Sequence, residues 1–400
     1  MKILHIETRF HPSYGYQVQQ MARLHDKAHE VVVVTSKSLG NLRNRDMADD
    51  ISILDERYER ETGIRIIRLN AWFEVREKIA LKGLVDTIEG EQPDVIFAHG
   101  VEYLALMQLI LSGVAGRYPL LTDSHDLPTA GRSEFLRGLF RIPHRWITVR
   151  FLNNHRIRTY YVQPQSKEML RRSGVREEIM HYLPLGVDED VFHPDPQARA
   201  EMRAKFGIQH DEVVILYTGK RDSQKDPALI LEAMSLLSAD LLARIKVFMV
   251  GAEDPAYRDE RISPLLAATP AQDRVFFLDP VPFKQLAGFY AMADLGVFPR
   301  QNTMSALDAM ASGLPLIMQD DHTNRERLKH GGLVYAAGNA GDLMRKLSEL
   351  MVDPELRGRL SDGGPQYVKD NHSYRTTVNM LENDMRFEIE RHKISCSPSS

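Results

Sequence analysis

The sequence predicts an α/β protein built from two doubly wound domains, and three observations carry that prediction. Apolar, β-branched runs alternate with helical stretches along the 400 residues. The runs Glu30–Thr35 and Val213–Thr218 are apolar nearly throughout, as strands covered on both faces are. The runs end in glycine, proline or polar residues, and the same strand–helix alternation fills each half. Open parallel sheets place their ligands at such strand ends.

In the first half, a strand at Lys2–Glu7 runs into the turn Pro12-Ser13-Tyr14-Gly15-Tyr16, followed by a helix at Gln17–Lys27 and the strand Glu30–Thr35. This is a βαβ unit, in which Gly15 lets the backbone approach a ligand or simply makes a tight turn. Polar residues 37–62 read as a mobile loop or lid, 64–69 as a strand and Glu74–Glu89 as a helix. The strand after Pro93 ends in His99-Gly100, and the one after Pro119 ends in Ser124-His125-Asp126. His125 is therefore a site candidate at a strand's carboxyl end, with a plain surface histidine as the alternative. Residues 132–172 are rich in arginine, with Phe135, Phe140, Trp146 and Phe151 interleaved. Such a stretch suits an anionic membrane surface, or is a core helix with solvated arginines.

The domain boundary is expected near Gly186, giving domains at 1–185 and 186–372. Strand Val213–Thr218 ends in Gly219-Lys220-Arg221 with Lys225 beyond, a cationic loop fit for an anion or merely solvated. Ile245–Val250 then meets Gly251, and Val275–Leu278 meets Asp279-Pro280-Val281. Leu295–Phe298 leads through Arg300-Gln301-Asn302 to a helix at Thr303–Ser312, and Leu316–Met318 is the next strand. The start of that helix (Met304, Ser305, Ala306) suits phosphate, and Asp308 lies one turn along. Helices at Gly341–Met351, Pro354–Leu360, Pro365–Asp370 and Ser373–His392 follow, with a disordered tail at 394–400.

The totals exclude other classes. The chain exceeds one ordinary core, and its net charge of −4 gives no nucleic-acid signal. A single Cys396 provides neither a disulfide framework nor a thiol metal site, which fits a reducing compartment. The first residues lack the apolar run and cleavage site of a signal peptide, and no stretch is long enough to span a bilayer. The first turn lacks Gly-x-Gly-x-x-Gly, which argues against a nicotinamide dehydrogenase.

In order, Pro12-Ser13-Tyr14-Gly15-Tyr16, His29-Glu30-Val31, Pro93-Asp94-Val95, Ser124-His125-Asp126, Gly186-Val187-Asp188, Gly219-Lys220 with Lys225, and Asp308-Ala309-Met310-Ala311-Ser312-Gly313-Leu314-Pro315 resemble the retaining glycosyltransferases of family four. The resemblance spans nearly the whole chain. It implies the GT-B fold, two Rossmann-like domains facing a cleft, with helix 373–393 packing back on the N-terminal domain.

It further implies transfer of a sugar from a nucleotide-diphosphate sugar, a UDP-sugar favoured, to a glycan or lipid-linked acceptor in bacterial surface polysaccharide or glycolipid synthesis. His125, Lys220, Lys225 and Asp308 are the implied catalytic set, with Asp308 on the nucleotide ribose. Gly15, Tyr16, Arg221, Gly251, Pro280, Val281, Gln301, Asn302, Thr303, Met304, Ser305 and Ala306 are the implied donor-binding set. Two departures stand out: Tyr16 replaces a second glycine, and the shortened loop after Phe298 lacks the first acid of the Glu-x7-Glu signature. No metal and no bound cofactor are expected, since the nucleotide sugar is a co-substrate. A cytoplasmic protein on the inner membrane face is implied. A catalytically impaired nucleotide-sugar binder or partner subunit, or a sugar-nucleotide epimerase, are the alternatives.

Overall fold

The computed structural model describes residues 1–13, 15–39, 50–75, 78–125, 142–300 and 304–396. The chain divides into two compact units, Met1–Leu185 with Tyr374–Ser400, and Gly186–Ser373.

Unit 1 carries β1 (Lys2–Ile6), α1 (Gln17–Leu24), β2 (Glu30–Ser36), α2 (Ile51–Thr62), β3 (Arg65–Leu69), β4 (Ala71–Val75), β5 (Lys78–Leu81), α3 (Leu84–Glu91), β6 (Val95–Ala98), α4 (Leu104–Leu111), β7 (Leu120–Ser124), α5 (Arg150–His155), β8 (Arg158–Tyr161), α6 (Pro164–Ser173) and β9 (Met180–Tyr182). Its parallel sheet has the order β3-β2-β1-β6-β7-β8-β9. Chain direction across the sheet reverses between β1 and β6, the switch point at which such sheets open a ligand crevice. Leu4, Ile6, Val32, Val34, Ile96 and Ala98 lie buried in one core on this sheet, which is why these strands read as unbroken apolar runs.

Unit 2 carries α7 (Pro196–Lys205), β10 (Val213–Thr218), α8 (Ala228–Met234), β11 (Ile245–Val250), β12 (Val275–Leu278), α9 (Leu286–Met292), β13 (Leu295–Phe298), α10 (Met304–Ala311), β14 (Leu316–Gln319), α11 (His322–Arg327), β15 (Gly332–Tyr335), α12 (Ala340–Val352) and α13 (Pro354–Asn371). Its parallel sheet has the order β12-β11-β10-β13-β14-β15, with the switch point between β10 and β13. The final helix, α14 (Tyr374–Cys396), belongs to unit 1: Tyr160 Oη donates to Asp384 Oδ2 at 2.6 Å.

Four local expectations are corrected. Residues 37–62 are not one loop, because Asp50 caps α2 at Ser52 N and the helix buries Leu54 and Tyr58; residues 40–49 lie outside the described residues. Ala71–Val75 and Lys78–Leu81 pair as the antiparallel strands β4 and β5 where the expected helix Glu74–Glu89 was to begin, and the helix starts only at Leu84; β-branched and aromatic side chains favour the extended backbone. Helix α13 runs through Pro365 as one element, seated where Gly364 meets Met310 of α10. The last helix extends to Cys396, so a disordered tail from 394 is corrected, and 397–400 lie outside the described residues. Of the arginine-rich stretch, residues 132–141 lie outside them too, whereas residues 142–172 form a π turn at His144–Val149, α5, β8 and most of α6. No described helix is long and apolar enough to cross a membrane.

Candidate functional site

In unit 2 the loops after β10 and β13 flank the switch point. Past β10 the chain turns at Gly219, and Tyr217 Oη donates to the Lys220 carbonyl at 2.5 Å, which pins the loop from below. The Asp222 side chain then accepts from the N–H groups of Gln224 and Lys225, both at 3.0 Å, an Asx turn that shapes the next four residues. Lys220 is exposed and Lys225 half-buried. Burial draws the Lys225 ammonium below its ordinary value, opposed by Asp222 and reinforced by the charge of Lys220. Two neighbouring lysines that raise each other's energy are stabilised by an anion placed between them.

Arg300, on the loop after β13, closes the other side. Its guanidinium donates to the Ser223 carbonyl at 3.2 Å and lies 3.3 Å from Asp226 Oδ2. Asp226 is buried and accepts from Tyr257 Oη at 2.7 Å. The lysine loop is thus tied both to the strand layer and to the loop across the switch point.

Arg221 corrects an expectation. Its side chain does not join the two lysines; it is buried, donating from Nη1 to the carbonyls of Met249 and Leu278, both at 3.0 Å, with Phe277 beneath the guanidinium. It stitches together the carboxyl ends of β11 and β12, leading to Gly251 and to Pro280-Val281 respectively. Gly251 serves the same joint. Its φ is +146°, and a Cβ there would stand 2.0 Å from the Gly219 carbonyl oxygen. Gly251 therefore supports the loop through backbone packing.

Helix α10 begins at Met304; Gln301, Asn302 and Thr303 lie outside the described residues. Met304 and Ser305 are half-buried and Ala306 is buried. The Ser305 side chain hydrogen-bonds Tyr290 Oη, which also meets Thr218 Oγ1 at 3.0 Å. Asp308 is only 4% exposed, so it is not the open acceptor its spacing suggests. Burial, and then the charge of Asp188, push its carboxyl well above the usual carboxylate range.

In unit 1, Gly15 follows β1 with φ +65° and its N–H meets the Gln19 side chain, while Tyr16, just ahead of α1, is 44% exposed. His125 follows β7, with its side chain 38% exposed and Nε2 3.3 Å from Asp123 Oδ2. Burial alone would lower its imidazole, but the charge and hydrogen bond of Asp123, with Glu102 and Glu7 behind, raise it to about 9. That shift favours the imidazolium form of His125 at neutral pH. Asp123 is fully buried; its other oxygen accepts from Gly100 N at 2.8 Å, and Oδ2 also meets His99 Nδ1 at 2.8 Å. Asp123 and His99 were missed in the sequence, although both end apolar strands. Among the described residues no three His, Cys, Asp or Glu side chains are placed to hold a metal ion.

The sequence matches Glycosyltransferase Family 4 over residues 16–191 and Glycosyl transferases group 1 over residues 198–367. The chain belongs to the family 4 glycosyltransferases. Curated relatives of this glycosyltransferase include a D-inositol 3-phosphate glycosyltransferase of Streptomyces bingchenggensis, 29% identical over 52% of this chain and 48% of the relative. Another is the GDP-mannose-dependent α-(1-6)-phosphatidylinositol monomannoside mannosyltransferase of Mycolicibacterium smegmatis, 24% identical over 49% and 53%. The matched stretch spans about half the length of these relatives. Among solved structures, sucrose-phosphate synthase from Thermosynechococcus elongatus superposes with TM-score 0.70 and 20% identity, covering 99% of this chain and 100% of that one. Anabaena HepE in complex with UDP gives 0.74 and 15%, covering 96% and 100%. At these identities the likeness shows the fold: the glycosyltransferase has the GT-B architecture of two Rossmann-like domains.

Proposed function

We propose that the protein is a retaining, metal-independent glycosyltransferase that takes a sugar from a nucleotide-diphosphate sugar, a UDP-sugar by preference, and passes it to a glycan or lipid-linked acceptor of the bacterial surface. The observation that carries this reading is the pairing of Lys220 and Lys225 on a loop braced by Tyr217, Asp222 and Arg300 at the switch point of unit 2. Family membership and the UDP bound by HepE support the nucleotide-sugar donor.

In this reading Lys220, Lys225 and the start of α10 receive the diphosphate, and Asp308 receives the ribose diol. The acceptor hydroxyl oxygen bonds to the anomeric carbon as the carbon–oxygen bond to the diphosphate breaks. The departing phosphate oxygen takes the hydroxyl proton on the same face of the sugar. The lysines act because charge develops on that oxygen, and preorganised donors to such charge contribute about 3–4 kcal/mol each where measured. His125, its imidazolium form favoured at neutral pH, is assigned the transferred sugar. The test is turnover of a panel of nucleotide sugars with acceptors, following release of the nucleoside diphosphate and the anomeric configuration of the product. An inverted product or donor turnover only in the presence of a divalent ion would contradict the assignment.

A second reading, a nucleotide-sugar binder without turnover, is favoured by Arg300, which stands eight residues before Asp308 in place of an acid. Donor binding with no product across the panel supports it.

Peripheral attachment to the inner membrane face is part of the proposal. Ile142 and Trp146, each 66% exposed, stand beside Arg145, Arg150 and Arg176 around a cavity of about 690 Å³. An apolar wedge ringed by cations suits an anionic bilayer surface. Sedimentation with phosphatidylglycerol vesicles at low salt, reduced by Trp146→Ala, is the expected result.

A further inference from the structure

Behind His125 lies a run of buried titratable groups that no step above uses. Asp123 Oδ2 meets His99 Nδ1 at 2.8 Å, and His99 Nε2 meets His5 Nδ1 at 2.9 Å. His5 Nε2 meets His25 Nε2 at 3.1 Å, and His25 Nδ1 meets Glu382 Oε1 of α14 at 3.0 Å. All five residues are buried. Their sequence separations are large, yet β1, β6 and β7 are adjacent strands and His25 directly follows α1, so the fold lines them up.

Counting protons decides what this run is. Both end groups serve as acceptors: Asp123 takes the Gly100 N–H on Oδ1 at 2.8 Å while its Oδ2 faces the rings of both His99 and His125, and Glu382 Oε1 takes the Asp26 N–H at 2.9 Å. Four contacts at hydrogen-bond distance need four protons. Three neutral imidazoles supply one each, three in all. With only three, one pair of nitrogens or a nitrogen and a carboxylate would face each other lone pair to lone pair at full burial.

We propose that the run is a positioning relay for His125 that holds one extra proton, with His99 as the imidazolium between Asp123 and His5. His25 then donates from Nδ1 to Glu382, His5 donates from Nε2 to His25, and His99 donates to both Asp123 and His5. Burial pushes the His5 and His25 imidazoles down, which agrees with neutral rings at those two places. The relay matters for the site because His99 and His125 share one oxygen of Asp123. When His125 turns to a ligand, Asp123 keeps a cationic partner and is not left as a bare buried charge. Other charged groups face both ends: Glu7 and Glu102 near His99 and His125, and His29, Arg386 and Asp26 near Glu382.

The inference uses the proposed function only in treating His125 as a site residue, and its test needs no turnover. Histidine-selective 15N NMR of the full chain reads each ring's protonation. The relay predicts one buried imidazolium among His5, His25 and His99 at neutral pH. It also predicts loss of that cation in His5→Phe and in His25→Leu, each of which cuts the run so that no extra proton is needed. With the cation gone, Asp123 acts undiluted on His125, whose titration rises by roughly half a unit to one unit. Three neutral rings in the wild-type protein overturn the proposal, a result independent of whether either variant folds. So does a variant that keeps the cation or leaves the His125 titration in place.

Discussion

Arg300 Nη2 lies 3.3 Å from Asp226 Oδ2, joining the loops after β13 and β10 across the switch point of unit 2. Asp226 is the buried partner and is held in turn by Tyr257, so the brace positions the segment carrying Lys225. Arg300→Gln is expected to raise the donor KM about tenfold, with little change in melting temperature, since the arginine is half exposed. Asp226→Asn should do the same, and the double variant should be no worse than the more impaired single variant. Additive effects in that cycle would separate the two residues.

Arg221 and Lys225 are neighbours in sequence with opposite expected phenotypes. Arg221 donates to two strand-end carbonyls, and its loss leaves buried acceptors unmet. Arg221→Ala is predicted to destabilise the protein by about 2–4 kcal/mol, seen as a lower melting temperature. A folded, stable Arg221→Ala protein with defective donor binding would reverse the assignment.

Gly251 tests the joint beneath the lysine loop. An alanine there meets both a φ of +146° and a carbonyl oxygen 2.0 Å from its Cβ. Gly251→Ala should cost about 2–4 kcal/mol, because strain and overlap add. Gly90 in α3 has nothing within 4 Å of a built Cβ, so Gly90→Ala should be neutral or stabilising by up to about 1 kcal/mol. Thermal unfolding of both variants checks the contrast.

Glu382 predicts a pH dependence. Burial would raise its carboxyl, but the His25 hydrogen bond and the Asp26 N–H lower it to about 2. A carboxylate depressed from 4.5 to about 2 contributes stability above pH 4.5 and loses it as pH falls toward 2. The melting temperature of Glu382→Gln should therefore vary less than wild type across that window. Equal slopes would mean that Glu382 titrates normally.

Much of this architecture was legible because parallel strands buried on both faces announce themselves as unbroken apolar runs; Val31–Val34 and Val213–Thr218 are such runs. The loops after them were legible as charge at strand ends. What stayed hidden depends on partners distant in sequence. Arg221 looks like a third phosphate cation until the Met249 and Leu278 carbonyls are placed around it. His5 is one polar residue in an apolar strand, and only the sheet order brings His99 beside it. The stretch Glu74–Glu89 misled because its mixed polarity fits a helix as well as paired strands; Ala71–Val75 and Lys78–Leu81 pair antiparallel, and the helix begins only at Leu84.

The central claim is that an activated sugar's diphosphate is held by Lys220 and Lys225 in unit 2, and calorimetric titration with UDP and GDP tests it most directly. The account predicts that the wild-type protein binds UDP more tightly than GDP, and that Lys225→Ala weakens this binding by roughly 30-fold or more at unchanged melting temperature, the equivalent of about 2 kcal/mol. A Lys225→Ala protein that binds UDP as tightly as wild type would contradict it.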